Sequence, residues 1–327
     1  MISFIAVVVM TRGGYIKRMP LKTFENQRRG TRGKSSTNSK KNASADNEVS
    51  HCVACNDHDT LLMMSQNGVA YGIRAYQIPT AGRTAKGSPL PSVLPIRSDQ
   101  RITSILPVSD FSDDEYVVLA TEQGWIKKTA LSAFEKMNSR GLIIATLADG
   151  DQLKWCQRCK DGDDLLIGSS KGQATRIESA NVRPSGRTSR GVRAMKLREG
   201  DTLADMNVIE SAGGSAAANV LCVTSKGYGK RISTDDFRTI NRGGSGVIAI
   251  KFKKGLEEED RVSCFCVVQE DDEVLINTSR GIMVRQKVNQ ISLQSRQATG
   301  VTVQKVDDGD HISSISLVPK YEEQDEP

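Results

Sequence analysis

No stretch of this 327-residue chain approaches the ~18 consecutive apolar residues of a membrane-spanning helix, so a membrane span is excluded. The opening run Met1-Ile-Ser-Phe-Ile-Ala-Val-Val-Val-Met10 lacks both a basic flank before it and a small-residue cleavage site, and is expected to be a strand, not a signal peptide. Histidine is scarce, at three, and no paired Asp/Glu constellation accompanies it, so the residues point to no acid–base enzyme. Strong helical periodicity is absent throughout. Hydrophobic residues still make up 38% of the chain, enough to bury a large core, which excludes disorder for its bulk.

Cysteine is present in an odd number, seven, mostly inside apolar runs such as Val220-Leu-Cys222-Val and Val262-Ser-Cys264-Phe-Cys266-Val. Buried free thiols in a reducing compartment are the expected arrangement. Two pairs have metal-like spacing, Cys52-Val-Ala-Cys55 and Cys156-Gln-Arg-Cys159, with His51 and His58 near the first. Residues three apart on a strand point to opposite faces, so structural thiols are expected and no metal site.

The charge is unevenly placed. Lys and Arg number 45 against 39 Asp and Glu, for a net +6, yet residues 11–41 alone carry +9 and leave about −3 for everything else. A basic focus of this density is either a solvated loop or a patch for a polyanion.

The chain is a sixfold repeat. A mostly aliphatic run of four precedes Thr/Ser-x-x-Gly, at Thr11–Gly14, Ser65–Gly68, Thr121–Gly124, Ser169–Gly172, Thr224–Gly227 and Thr278–Gly281, with glycines 54, 56, 48, 55 and 54 apart. A second glycine follows by 19 residues, or 17 in the third copy, at Gly33, Gly87, Gly141, Gly191, Gly246 and Gly300, with Arg or Lys close before it. Glycine tolerates positive φ, so Thr/Ser-x-x-Gly between aliphatic runs predicts a hairpin. A later acidic turn, as in Asp149-Gly-Asp151, Glu199-Gly-Asp201 and Asp308-Gly-Asp310, introduces one more apolar run. About four strands per unit of roughly 54 residues predicts an all-β, propeller-like closed disc of six antiparallel blades. The expected blades are about 1–57, 58–112, 113–162, 163–216, 217–270 and 271–319, with an acidic tail over 320–327. Leu61, Met63, Ile73 and their equivalents should form the core between blades. The polar stretch 34–46 and the small-residue stretch 211–218 are expected to be mobile surface loops. Acid pairs such as Asp163-Asp164 and Asp271-Asp272 are expected to serve turns.

The first unit contains Gln27-Arg-Arg-Gly-Thr-Arg-Gly33 after Gly14-Tyr-Ile-Lys-Arg18. This resembles the gyrase A-box of the DNA gyrase A C-terminal domain. The resemblance spans almost the whole chain and includes Arg83-Thr-Ala-Lys-Gly87, Arg187-Thr-Ser-Arg-Gly191, Gly227-Tyr-Gly-Lys-Arg231 and Asn241-Arg-Gly-Gly-Ser-Gly246. Thr31 stands where the usual box has its second glycine, which should stiffen the loop, and the chain begins at the first blade.

The resemblance implies a six-bladed β-pinwheel whose basic rim wraps double-stranded DNA for an ATP-dependent type II topoisomerase. In the box, Gln27, Arg28, Arg29, Gly30, Thr31, Arg32 and Gly33 would clamp the wrap. On the rim, Lys17, Arg18, Arg74, Arg83, Lys86, Lys127, Lys128, Arg140, Arg176, Arg187, Arg190, Lys230, Arg231, Arg242, Arg285 and Arg296 would meet phosphates. The implied partners are the N-terminal breakage–reunion domain of gyrase A and the gyrase B protein, with no membrane, in bacterial cytoplasm or an organelle such as a plastid. No catalytic residue and no cofactor are expected in this chain: ATP and Mg would be used elsewhere in the holoenzyme. The six tyrosines follow Gly14, Ala70, Ala75, Glu115, Gly227 and Lys320, so the Arg-Tyr pair of strand cleavage is missing. Gly33-Lys34-Ser35 ends like a phosphate-binding loop, but Arg28 occupies the position of its first glycine. The alternatives are the corresponding C-terminal domain of topoisomerase IV, whose kind usually lacks the box, and a propeller that binds proteins through a disc face.

Overall fold

The computed structural model describes residues 5–20, 49–82, 84–97, 99–137, 140–211, 218–280 and 282–318. The box, Arg83, the stretch 34–46, residues 212–217 and the tail 320–327 lie outside them. The described residues form a six-bladed propeller of antiparallel sheets, in which helix is confined to single 3-10 turns.

Each hairpin is built by the repeated turn. The first residue closes it twice: its carbonyl accepts from the glycine N–H, as in Gly124 to Thr121 at 3.1 Å, and its hydroxyl accepts from the next amide, as in Trp125 to Thr121 Oγ1 at 3.2 Å. The same pair of bonds recurs at Thr11, Ser65, Ser169 and Thr224, which explains the requirement for a β-hydroxyl there. The acidic turn then staples the hairpin to its third strand. Asp151 Oδ1 accepts from Gln123 N at 3.0 Å, and Asp201, Asp260 and Asp310 do the same for Lys171, Lys226 and Arg280. Asp163 and Asp272 likewise accept from main-chain amides at strand turns, as expected of turn residues.

Four strands per sheet is the arrangement observed, but the fourth is not contributed by the same repeat. The first sheet runs Val49–Asn56, Ile5–Thr11, Tyr15–Pro20 and then Ser88–Pro89, which follows Gly87 of the second repeat. Leu142–Ile143, Val192–Arg193, Val247–Ile248 and Val301–Thr302 are donated backwards in the same way. Consecutive repeats therefore interlock by main-chain hydrogen bonds as well as by packing. The sheet of the sixth repeat has three strands among the described residues.

The paired glycine makes this exchange possible. Gly191 has φ +94°, and a Cβ there would stand 2.3 Å from the Ile126 carbonyl oxygen of the strand it approaches. Only glycine combines that dihedral with that closeness.

Third strands pack on third strands around the ring, from Val49–Asn56 through Ile102–Val108, Leu153–Lys160, Leu203–Ile209, Val262–Val268 and Ile312–Leu317 back to the first, which closes the disc. They line its centre, and the donated strands lie at the outer edge. Alternate side chains of the first strand serve opposite neighbours: Leu61 and Met63 pack toward repeat one, Leu62 and Met64 toward repeat three, all fully buried. A sheet covered on both faces needs unbroken apolar runs instead of alternation, and these are the aliphatic quartets of the sequence. The expected core residues Leu61, Met63 and Ile73 all lie there. The seven cysteines are unpaired, and both spaced pairs lie on third strands. Burial pushes the Cys52 thiol up to about 11 and that of Cys159 to about 12.

Candidate nucleic-acid interface

Basic residues converge on the outer edge from two sources. The third or fourth position after the hairpin glycine, or in repeat two the sixth, brings a cation along the second strand, and the loop before each paired glycine brings more. The two sets differ in exposure.

On the second strands, Lys17, Lys127, Lys128, Lys230 and Arg231 are buried, against the expectation of a solvent-facing rim. The donated strand and its loop fold over the second strand and cover them. Lys128 Nζ pairs with Asp161 at 3.0 Å, donates to the Ser179 carbonyl at 3.0 Å and lies 4.5 Å from the Tyr116 ring centroid. Arg231 donates from Nε to the Ile291 carbonyl at 2.6 Å and pairs with Glu270 at 3.5 Å. Arg18 is half-buried, in an ion pair with Asp57, and Arg176 half-buried with Asp164 at 2.7 Å. Arg285 is exposed but paired to Glu273, and Arg74 is exposed and donates to the His58 carbonyl at 2.7 Å. Most of this set is engaged in holding neighbouring strands and loops together.

Lys127 and Lys230 are almost fully enclosed, at 2% and 0% exposure. Desolvation pulls both ammonium groups down to about 8.

The loop set faces outward. Lys86, Arg140, Arg190 and Arg242 are exposed, while Arg187 and Arg296 are half-buried. Aromatic residues after the hairpin glycine give two of these cations a platform: Lys86 Nζ lies 3.9 Å from the Tyr15 ring centroid, and the Arg190 guanidinium 5.5 Å from that of Trp125. Arg187 donates to the Ala133 carbonyl at 2.9 Å, Arg242 to that of Asn181 at 3.2 Å and Arg296 to that of Ile248 at 3.2 Å. These bonds splay the loops along the edge. An open groove between the loops of repeats four and five is lined by Arg183, Ser185, Asn241 and Arg242. Box residues Gln27, Arg28, Arg29, Gly30, Thr31, Arg32 and Gly33, with Arg83, lie outside the described residues.

Sequence reasoning missed Arg193. It sits on a donated strand, exposed, with its guanidinium 4.5 Å from the Trp125 ring centroid. Its position two residues after a paired glycine was the available signal. The geometry offers charge and main-chain donors, and among the described residues no group of three metal-ligating side chains gathers.

A family model described as DNA gyrase C-terminal domain, beta-propeller, matches the chain six times, over residues 6–56, 59–109, 115–160, 163–210, 218–267 and 272–319. The DNA gyrase A protein of Synechocystis sp. is 43% identical over 98% of this chain, and the probable chloroplastic/mitochondrial DNA gyrase A protein of Oryza sativa is 35% identical over 98%. The chain spans 40% and 35% of the lengths of these two relatives. A solved DNA gyrase A C-terminal domain superposes with a TM-score of 0.77 at 27% identity, covering 96% of this chain and 99% of that one. Six family matches on six interlocked blades leave one assignment: the chain belongs to the DNA gyrase A C-terminal β-propeller family.

Proposed function

We propose that this chain binds duplex DNA along the outer edge of its disc and wraps it, supplying the handed DNA path that lets a gyrase-type, ATP-dependent type II topoisomerase introduce negative supercoils. The observation that carries this reading is the recurrence of outward-facing cations at the edge in successive repeats, at Lys86, Arg140, Arg190, Arg193 and Arg242. Phosphates are neutralised without base readout, so binding is weakly sequence-specific and falls steeply with salt. Bending duplex around a small disc costs on the order of several kcal/mol, which contacts spread around the circumference offset. The box clamps the wrap at its start or close. Strand cleavage and ATP hydrolysis reside in the partners, a breakage–reunion domain and the gyrase B protein, and this chain alone cleaves no strand.

The box sequence favours gyrase over a topoisomerase IV-type domain. A protein-binding propeller would not need basic loops repeated at one edge. Titration of linear duplex at several salt concentrations tests the proposal: log K should fall linearly with log salt, by about 0.9 per phosphate contact. Negligible affinity at low salt would refute it.

A further inference from the structure

Lys127 and Lys230 have no carboxylate within ion-pairing distance among the described residues; their partners are main-chain carbonyls, chiefly of the following repeat's basic loop. Lys127 Nζ donates to Gly186 at 2.8 Å, Arg187 at 2.6 Å and Ser189 at 3.2 Å, and to Ile144 at 2.8 Å. Lys230 Nζ donates to Ser295 at 2.7 Å, Arg296 at 2.6 Å and Ala298 at 2.8 Å. Lys17 reaches the corresponding Ala85 carbonyl at 2.9 Å. An ammonium has three N–H donors and no acceptor, so three inward carbonyls saturate it. A buried charge is tolerated only when so satisfied.

The three loops share one tight turn, in which Ala85 N donates to Gly82, Ser189 N to Gly186 and Ala298 N to Ser295, at 3.1, 3.2 and 3.1 Å. In a trans peptide the C=O and the following N–H point in opposite directions. Carbonyls drawn inward at 186, 187 and 189 therefore turn the N–H groups of Arg187, Thr188 and Arg190 outward; those at 295, 296 and 298 do the same for Arg296, Gln297 and Thr299. None of these six amides has a protein partner among the described residues. Successive outward amides form an anion-binding concavity, and here a buried positive charge lies directly beneath.

We propose that Lys127 and Lys230 are positioning residues that preform main-chain phosphate cradles in the basic loops of repeats four and six. This rests on the DNA-binding reading above and specifies where the backbone takes part in it. The two cradles lie two repeats apart. Repeats two and four carry Tyr71 and Thr175 at the lysine position, and the loop of repeat five is tied differently, by Gly243 N to the Ala194 carbonyl at 2.8 Å. Among the described residues the disc thus carries two such preorganised phosphate contacts, in the basic loops of repeats four and six.

The test is Lys127→Met in the intact chain, read by duplex affinity across salt and by tryptic cleavage after Arg187 and Arg190. The expected result is weaker binding, a salt slope reduced by about 1 to 2 although the lysine itself is buried, and faster cleavage of the loop. Combination with Arg190→Ala should lose less than the sum of the two separate losses, because both act through one loop. An unchanged slope, or fully additive losses, overturns the proposal. Should the unsubstituted chain not bind duplex at all, the functional reading fails by itself; the lysine's hold on the loop is then judged by the cleavage rate, and a rate unchanged by Lys127→Met overturns it. Lys230→Met carries the same slope test in the loop of repeat six if Lys127→Met does not fold.

Discussion

Gly191→Ala and Gly186→Ala place one methyl group at each of two glycines five residues apart in the same basic loop. At Gly191 the backbone has φ +94°, which costs a non-glycine residue ~1–2 kcal/mol, and the new Cβ would lie 2.3 Å from the Ile126 carbonyl oxygen, inside the strand it must pair with. That overlap is with main chain and cannot be relieved by a rotamer. The donated strand must move away, which disrupts the pairing of Val192 with Ile126 and of Arg193 with Trp125, about two hydrogen bonds at ~1 kcal/mol each. Together these come to about 3–4 kcal/mol, enough to lower the urea midpoint by about 1 M in a chain of this size. At Gly186 a Cβ meets nothing within 4 Å and the dihedral is ordinary, so Gly186→Ala should leave the midpoint within about 0.2 M. Urea unfolding followed by tryptophan fluorescence suits the pair, since Trp125 sits on the strand that is uncovered. Equal midpoints for the two variants would refute the claim that strand donation through the paired glycine holds successive repeats together.

Three further outcomes are open to measurement. Burial raises the Asp205 carboxyl to about 7, although amides of Phe265 and Met206 oppose the shift, so the native state holds this proton more tightly than the unfolded chain; its stabilising contribution is present below about pH 4 and is lost as pH rises through 7. Thermal melts from pH 5 to 8 should accordingly slope downward less in Asp205→Asn than in the unsubstituted chain, and parallel slopes would contradict the assignment. Phe237, 1% exposed with its ring centroid 5.9 Å from that of Phe265 in an edge arrangement between blades four and five, should cost about 3–5 kcal/mol when replaced by alanine; a loss under ~1 kcal/mol in denaturant melts would show that the blades repack freely. Replacing Arg28, Arg29 and Arg32 together by alanine should abolish supercoiling by a reconstituted holoenzyme while leaving relaxation or decatenation, and persistent supercoiling would mean that the clamp lies elsewhere.

The hairpins and the closed ring were legible because their chemistry is local. A β-hydroxyl, a positive-φ glycine and an aliphatic quartet each leave a mark at fixed spacing, and six copies make the marks unmistakable. The donated strands were not legible, since a two-residue strand such as Val192–Arg193 carries no hydrophobic period and its partner lies a whole repeat away. For the same reason burial of the second-strand lysines was invisible. Lys127 and Arg190 look alike as charges in sequence, yet one is enclosed by carbonyls while the other stands beside Trp125 at the surface. What separates them is the cover supplied by the next repeat, a tertiary fact. Arg193 carried a local mark, its place two residues after a paired glycine, but that mark points to an edge only once the donated strand is known.

Whether the duplex follows the curved basic edge or crosses the disc in a straight line is measured directly by ligating nicked circular DNA in the presence of the chain, then removing protein and resolving topoisomers. A wrap predicts a linking-number distribution that shifts with protein concentration and returns to its starting position in high salt. An unshifted distribution at concentrations where the duplex is bound would contradict wrapping.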